Sequence, residues 1–321
     1  SLEASVHHCL IAHSEALRVL HEAQSQLFFG AGICPSKSIA AWMDHMEPAP
    51  TYPICVRAER NAVDNEIRLR GRWGECSQFA ALLEHAGTPN CRILDIGANI
   101  GACALMFANL GYRVVAFEPL PSNFALLRSS ARLNHEFRGI SLGLDVTGDA
   151  SEAGAIMVFP YALSNSRSRG YIMERSGNAG DSLVFDEKLV LPCDNSTYFC
   201  HNKIVQIERL DHLFTVDEER ICFAKIDVQG AEYEVLQGAH QLLRWHRIKA
   251  LFFEWRPEAA IEAGRDPLAT LRYLHYLRYK ILVPPEWLGW DGKPWVVAGQ
   301  QFFPSLLNFK GDIMALATLS M

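Results

Sequence analysis

The stretch that most restricts what this chain can fold into is I-L-D-I-G-A-N-I-G, Ile93 to Gly101. Ile93, Leu94 and Ile96 read as a short buried strand. Gly97 then lets the chain turn sharply, and Gly101 lets backbone approach a ligand at the N-terminus of a helix starting at Ala102. Twenty-one residues after Gly97, the strand V-V-A-F-E ends in Glu118. An acid at the end of a second strand is placed to accept both hydroxyls of a ribose. A strand, a glycine turn, a helix and that acid predict one end of a nucleotide-binding α/β sheet.

The rest of the chain agrees. Strands are expected at Arg92–Ile96, Arg113–Phe117, Ala155–Leu163, Cys222–Val228, Ala250–Glu254, Lys280–Val283 and Asp312–Ala317. Helices are expected at Ala102–Leu110, Pro121–Asn134, Ala231–Leu243 and Leu268–Arg278. Alternating β and α elements of this length predict a largely parallel sheet covered by helices on both faces. Residues 164–210 read as turns and short strands, a local antiparallel excursion that includes Gly170–Glu174 and Ile204–Ile207. Ahead of the sheet, Glu3–Phe28 has helical spacing, and its His7, His8, His13 and His21 share no single face. Pro35, Pro48, Pro50 and Pro53 mark an irregular connector. A strand is expected at Asn65–Leu69 and a helix at Ser77–His85.

With 30 Lys+Arg against 36 Asp+Glu, the formal net charge of −6 lacks the basic footprint of a nucleic-acid binder. The uncharged run Ile96–Tyr112 carries three Gly and two Asn, so it reads as loop plus buried helix rather than a membrane span. The start at Ser1 has no basic n-region and apolar h-region, so no signal peptide is expected within the chain, with prior removal of a leader left open. The nine cysteines contain no C-x-x-C pair. Cys103 and Cys222 lie in apolar runs as small hydrophobes, and the odd count favours a reducing intracellular compartment. Cys193, Cys200 and His201 have poor spacing for zinc, so no metal is expected. Asn195-Ser196-Thr197 is a glycosylation sequon.

Details of the glycine turn select the nucleotide. A dinucleotide site sets glycines at G-x-G-x-x-G to receive a pyrophosphate. Here Asn99 takes the middle glycine position, Asp95 stands two residues before the first glycine, and there is no P-loop lysine. An acid aimed at the turn is wrong for a pyrophosphate. It suits a ligand with a cationic amine, such as the methionine part of S-adenosylmethionine.

Three motifs then carry a family resemblance. D-I-G-A-N-I-G, A-F-E-P-L-P-S-N-F-A-L-L (Ala116–Leu127) with Asn134, and K-I-D-V-Q-G-A-E-Y-E-V-L-Q-G-A (Lys225–Ala239) together resemble the FkbM-type class I S-adenosylmethionine-dependent methyltransferases. Weaker echoes are W-G-E at Trp73–Glu75, Y-A-L-S at Tyr161–Ser164 and E-R-L-D at Glu208–Asp211. The resemblance spans about residues 65–318. It implies a Rossmann-like sheet of seven strands, one antiparallel, in a methyltransferase domain over residues 65–321. Residues 1–64 would be a helical N-terminal extension and connector that caps the site or binds a protein partner. The resemblance further implies that Asp95, Gly97, Asn99 and Gly101 hold the methionine end of the cofactor and that Glu118 holds the ribose. Pro119 would lie beside the adenine, Ala162 near the cofactor at the end of the third strand, and Glu75 of the W-G-E echo would join the cofactor site. Family members typically methylate hydroxyl oxygens, which implies a small-molecule or sugar acceptor. Residues 139–153 are extra relative to the family pattern, leaving Asp145 as a weak adenine-side candidate.

Ligands of open α/β sheets bind outside the carboxyl ends of the strands. Asp227 and Glu254 end the fourth and fifth strands, where a methyl donor would meet its acceptor. Methyl transfer is mostly proximity and orientation, and a hydroxyl acceptor gains from a base. Asp227 is the first candidate for that base and Glu254 the second. The bland alternative has Asp227 capping the helix near Ala231 and Glu254 ordering a loop. Glu232 is within reach of the pocket, Glu234 faces solvent, and Asp211 reads as a helix N-cap. His212, His240 and His246 read as surface or satisfied residues. Trp287, Trp290, Trp295, Phe302 and Phe303 either wall an apolar pocket or pack a satellite core. Two rival functions remain, a structural or assembly subunit that keeps the fold and a nicotinamide-dependent dehydrogenase. Asp95 and Asn99 disfavour the second.

Overall fold

The computed structural model describes residues 33–43, 49–58, 62–76, 79, 83, 91–140, 142–143, 154–175, 178–186, 198–216, 220–262, 264–284 and 296–317. The helix expected at Glu3–Phe28, Asp145, Cys193, the sequon and the three tryptophans of 287–295 lie outside these residues. No described helix is long and apolar enough to cross a membrane.

Strands β1 (Ser38–Met43) and β2 (Tyr52–Arg57) pair antiparallel, and helix α1 (Ala62–Arg70) follows. This corrects the expected irregular connector and the expected strand at Asn65–Leu69. Pro53 is tolerated because its strand belongs to a two-stranded sheet with open edges. Ile67 and Leu69 alternate like a strand, yet Leu69 is 75% exposed, while Val63 and Ile67, four apart, are buried. That is the spacing of a helix face.

The main fold runs β3 (Arg92–Ile96), α2 (Ala102–Asn109), β4 (Arg113–Phe117), α3 (Pro121–Arg138), β5 (Leu142–Gly143) and β6 (Ile156–Phe159). An excursion follows, with β7 (Tyr161–Leu163), β8 (Ser168–Arg175), a 3₁₀ turn at Ala179–Asp181, β9 (Leu183–Asp186) and β10 (Tyr198–Glu208). The chain returns through α4 (Leu210–Leu213), β11 (Ile221–Ile226), α5 (Glu232–Gly238), α6 (His240–Arg244), β12 (Ile248–Trp255), α7 (Pro257–Glu262) and α8 (Ala269–Tyr276). It ends with β13 (Tyr279–Val283), β14 (Val296–Val297) and β15 (Gly311–Ala317).

The main sheet has the order β14-β13-β15-β12-β11-β3-β4-β6-β5. Strands β12, β11, β3, β4 and β6 are parallel, and β15 is antiparallel to both of its neighbours. The expected seven strands with one antiparallel are therefore present, and two-residue strands β5 and β14 are added at the edges. The excursion forms its own sheet, β7-β10-β8-β9. Two expected elements are divided. Pro160 has no N–H to donate and separates β6 from β7, which leaves the main sheet to pair with β10. The helix expected at Ala231–Leu243 breaks at Ala239 into α5 and α6.

Alternation along the strands loads both faces of the sheet. Leu94, Ile96, Val115, Phe117, Ala224 and Ile226 pack with α5, α6 and α8. Ile93, Val114, Ala116, Phe223 and Phe252 pack on the other face with β2, α2 and α3. Phe79 sits on that second face against Phe107, Phe223 and Phe252. The β1–β2 pair is fastened to it by Tyr52 Oη donating to Ala102 O (3.0 Å) and Asn134 Nδ2 donating to Pro53 O (2.7 Å).

The cysteine reading is corrected. Disulfides join Cys34–Cys55, Cys76–Cys103 and Cys91–Cys222. Cys103 and Cys222 are thus bridged rather than free hydrophobes, and the premise for a reducing compartment falls. The partners are 27 and 131 residues apart, so their proximity is made by the tertiary fold and leaves no local spacing to find.

Candidate functional site

Strand order reverses between β3, whose successors lie to one side, and β11, which lies to the other. That reversal opens a crevice at the carboxyl ends of the two strands. Asp95 and Lys225 are directly paired in register there. By strand alternation both share the face of Ile93 and Phe223, toward α2 and Phe79. Glu254, two residues beyond Phe252, points to the same face.

Gly97 adopts φ +81°, and a Cβ there would stand 1.8 Å from Asp227 O. The cofactor-type turn and the end of β11 therefore touch backbone to backbone, an approach only glycine permits. Asn99 has φ 52°, a left-handed conformation that asparagine tolerates better than most residues. Gly101 adopts φ +93° and also serves packing. A Cβ on it would meet Leu127 Cδ1 at 2.4 Å, so its bareness lets α3 pack against the turn.

A cavity of about 290 Å³ opens at this crevice. Its walls include Glu75, Asp95, Asp181, Asp227 and Glu254 against two cations, Lys225 and Arg256. Lys225 is buried, and its Nζ lies 3.2 Å from Asp227 Oδ2, 3.4 Å from Glu75 Oε1 and 3.8 Å from Asp95 Oδ1. Burial opposes the lysine charge, but Glu75, Asp227 and Asp95 outweigh it and hold the ammonium above its usual range. Glu75 is brought in beside Cys76, which the Cys76–Cys103 bridge ties to α2. Trp73 Nε1 donates to Glu75 Oε2 (2.9 Å).

Asp95 is fully buried, and neither of its carboxylate oxygens has a hydrogen bond of ordinary geometry. Burial pushes its pKa up to about 6, with Lys225 opposing the rise. Such a group is expensive to leave unsatisfied, so it is poised for a donor that enters the cavity. Glu118 is also buried. It accepts from Asn99 N (2.8 Å) and Leu120 N (2.9 Å), so it braces the turn it was expected to serve. Burial pushes it up to about 7, with those two N–H groups pulling the other way. Asn123 links it to Arg57, which pairs with the buried Asp64, so the chain before β3 supports Glu118.

At the far wall, Gln229 Nε2 donates to Asp227 Oδ1 (2.6 Å) and Glu254 Oε2 (3.0 Å). Burial pushes Glu254 up to about 8, Asp227 adds to the rise and Arg256 opposes it. Glu254 faces Asp312 across the β12–β15 register, and burial pushes Asp312 up to about 7. The expected alternative of Asp227 as a helix cap is not what is seen. Among the described residues no side chain caps α5; Glu232, in its first turn, accepts from Val228 N and Gly230 N of the preceding loop, and Glu234 pairs with Arg265 instead of facing solvent freely. Asp211 lies inside α4 and caps α6 through Gln241 N and Leu242 N. His240 and His246 are satisfied by Tyr273 Oη and Leu277 O.

Glu75, Asp95, Asn99, Asp227 and Glu254 thus share one cavity, with Gly97 beneath it and Glu118 reached through Asn99 N. Pro119 and Ala162 do not line it. Lys225, Gln229, Arg256 and Asp181 line it without having been singled out from sequence. Lys225 left a signal, a lysine inside the apolar strand I-C-F-A-K-I, which requires buried partners. Asp181 left none, since it arrives from the excursion like any polar turn residue.

A family model described as the methyltransferase FkbM domain matches residues 95–281. AMB antimetabolite synthetase AmbE of Pseudomonas aeruginosa is 32% identical over 167 residues, 47% of this chain but only 8% of that protein. Magnesium protoporphyrin IX methyltransferase from Synechocystis PCC 6803, solved with bound SAM, aligns at TM-score 0.40 and 10% identity over 81% of this chain and 86% of that one. An rRNA methylase from Streptococcus thermophilus aligns at TM-score 0.35 and 12% identity over 75% and 96%.

Proposed function

Because this chain belongs to the FkbM methyltransferase family, we propose that its strand-end cavity holds the methionine end of S-adenosylmethionine and that the acceptor is a hydroxyl oxygen of a small molecule or sugar. The observation that carries this reading is Asp95, a buried carboxylate with no hydrogen bond of ordinary geometry in a cavity with five acids against two bases. Such a cavity favours a cationic ligand. When bound, S-adenosylmethionine supplies a methyl group activated on a sulfonium and carries an ammonium. Asp95 would take the ammonium and Glu118 the ribose hydroxyls. Glu75, Gly97, Asn99 and Gly101 shape the pocket around them, while Pro119 and Ala162 are assigned to the adenosyl side by family resemblance alone. Residues 1–64 are proposed as an extension to a methyltransferase domain of 65–321.

For the acceptor, two carboxylates at the far wall support removal of a hydroxyl proton. Both oxygens of Asp227 are engaged, one by Lys225 and one by Gln229. Among the described residues Glu254 Oε1 has no donor, and its pKa of about 8 suits a base near neutral pH. We therefore place Glu254 ahead of Asp227, the reverse of the order expected from sequence. A small-molecule acceptor is also in keeping with a relative that is an antimetabolite synthetase.

Calorimetry with S-adenosylhomocysteine tests the cofactor, and absence of heat from folded protein overturns the reading. Methyl-¹³C-labelled donor and fractionated small-molecule extracts test the acceptor, with an O-methyl carbon shift expected and an N- or C-methyl product decisive against it. Glu254→Gln should lower turnover about 10²–10⁴-fold. A wild-type rate would remove Glu254 as the base.

A further inference from the structure

The cavity's far wall contains a hydrogen-bond chain whose direction is forced by chemistry. Arg256 Nη1 donates to Gln229 Oε1 (2.6 Å) and to Asp181 Oδ1 (2.8 Å). A guanidinium can only donate and an ionised carboxylate can only accept. The Gln229 amide therefore has one workable orientation, oxygen to Arg256 and NH₂ to the carboxylates of Asp227 and Glu254. Turning the amide over would set its NH₂ against the guanidinium and its oxygen against the Asp227 carboxylate. Gln229 also holds a left-handed backbone, φ 56°, so the surroundings keep it in place at some conformational expense. Asp181 itself comes from the 3₁₀ turn of the excursion sheet and is also paired with Arg175. Nearby, Gly180 packs against the Asn99 side chain, so the same turn reaches from the glycine loop to the far wall.

We propose that Arg256 is a positioning residue: held by Asp181, it orients the Gln229 amide so that one NH₂ clamps Asp227 and Glu254 side by side on the cavity wall. Without the clamp, nothing holds the two adjacent, half-buried carboxyl groups side by side and the acceptor end loses its shape. The excursion sheet acquires a role in the reaction through this chain, since its turn fixes Arg256. The proposal rests on the reading of the Asp227–Glu254 pair as the proton-accepting end of the site.

The titration of Glu254 reads the clamp directly. The charged groups that influence it are Asp227 at the end of β11, Arg256 just past the end of its own strand, Glu232 at the start of α5 and Glu75 beside Cys76, with Asp312 opposite on β15. The experiment uses full-length protein labelled at glutamate Cδ with ¹³C, with Glu254→Gln to assign the signal. Wild type, Arg256→Met, Arg256→Lys and Gln229→Leu are compared. A carboxylate that loses an opposite charge or a donated hydrogen bond titrates higher, by about one unit or more for either loss. Arg256→Met should raise the Glu254 midpoint, Arg256→Lys should return part of the shift, and Gln229→Leu should raise it with Arg256 intact. If Gln229→Leu leaves the midpoint in place, Arg256 acts by charge alone and the clamp is overturned, whether or not Arg256→Met folds. An unmoved midpoint in Arg256→Met overturns it as well. These titrations need no acceptor, so they separate failure of the clamp from failure of the base reading, which the turnover of Glu254→Gln decides.

Discussion

Gly97→Ala should cripple the cofactor loop through a single added methyl group. Two effects are combined. At φ +81° an alanine sits in the left-handed region, which costs about 1–2 kcal/mol. Its Cβ would also lie 1.8 Å from Asp227 O, a backbone atom that cannot swing aside like a side chain. Overpacking of this kind costs about 1–3 kcal/mol. Together the loss is about 2–5 kcal/mol, a fall in Tm of roughly 5–15 °C for a domain of this size. Gly111 provides an internal control. It has φ +91° but nothing within 4 Å of a built Cβ, so Gly111→Ala suffers the backbone strain without the clash. Differential scanning calorimetry of both variants, with S-adenosylhomocysteine titrated into each, isolates the clash. Gly97→Ala should be the less stable of the two by about 1–3 kcal/mol. It should bind the adenosyl ligand at least tenfold more weakly, because relief of the clash must part the glycine turn from the end of β11. Equal stabilities and equal affinities in the two variants would refute the close-approach reasoning.

Glu118→Ala removes charge-assisted hydrogen bonding worth about 1.5–3 kcal/mol in all, so S-adenosylhomocysteine affinity should fall roughly ten- to a hundredfold by calorimetry. An unchanged Kd would move the ribose contact elsewhere. Stability should fall as pH rises. Asp95 (about 6), Glu118, Glu232 and Asp312 (about 7) and Glu254 (about 8) are all raised by burial, so between the ordinary carboxylate range and pH 8 the folded state binds more protons than the unfolded chain. Their stabilising contribution is complete at low pH and lost as pH climbs through these values. Urea unfolding should give a lower midpoint at pH 8 than at pH 5.5, and the opposite trend would show that these acids are not buried as described. Replacing Cys76 and Cys103 by Ala together should cost about 2–4 kcal/mol and weaken adenosyl-ligand binding, since the bridge ties the Glu75 helix to α2. Thermal unfolding of wild type and the double variant, both without reductant, checks this, and equal midpoints would overturn it.

The sequence by itself determined the sheet and the ends of its strands. Gly97 and Gly101 needed positive φ, apolar residues alternated along each strand, and acids stood at strand ends, all of which are local and therefore visible in a single chain. Asp95, Glu118, Asp227 and Glu254 could be named for that reason. Local reading failed where distance along the chain was large or where one local pattern imitated another. Residues 65–69 alternate like a strand, but a buried face at Val63 and Ile67 made them helix. Asp211 looked like the cap of its own helix and caps one 30 residues later. The cysteines paired across 21 to 131 residues. The cavity belongs to this second class. Lys225 is charged because three carboxylates from separate segments meet at its ammonium. Asp227 and Glu254 form a pair because Gln229 bridges them, and Gln229 is oriented by an arginine that an excursion turn holds in place. Electrostatics and hydrogen bonds act over a few ångströms of space regardless of sequence separation, so only the folded chain decides which groups share them.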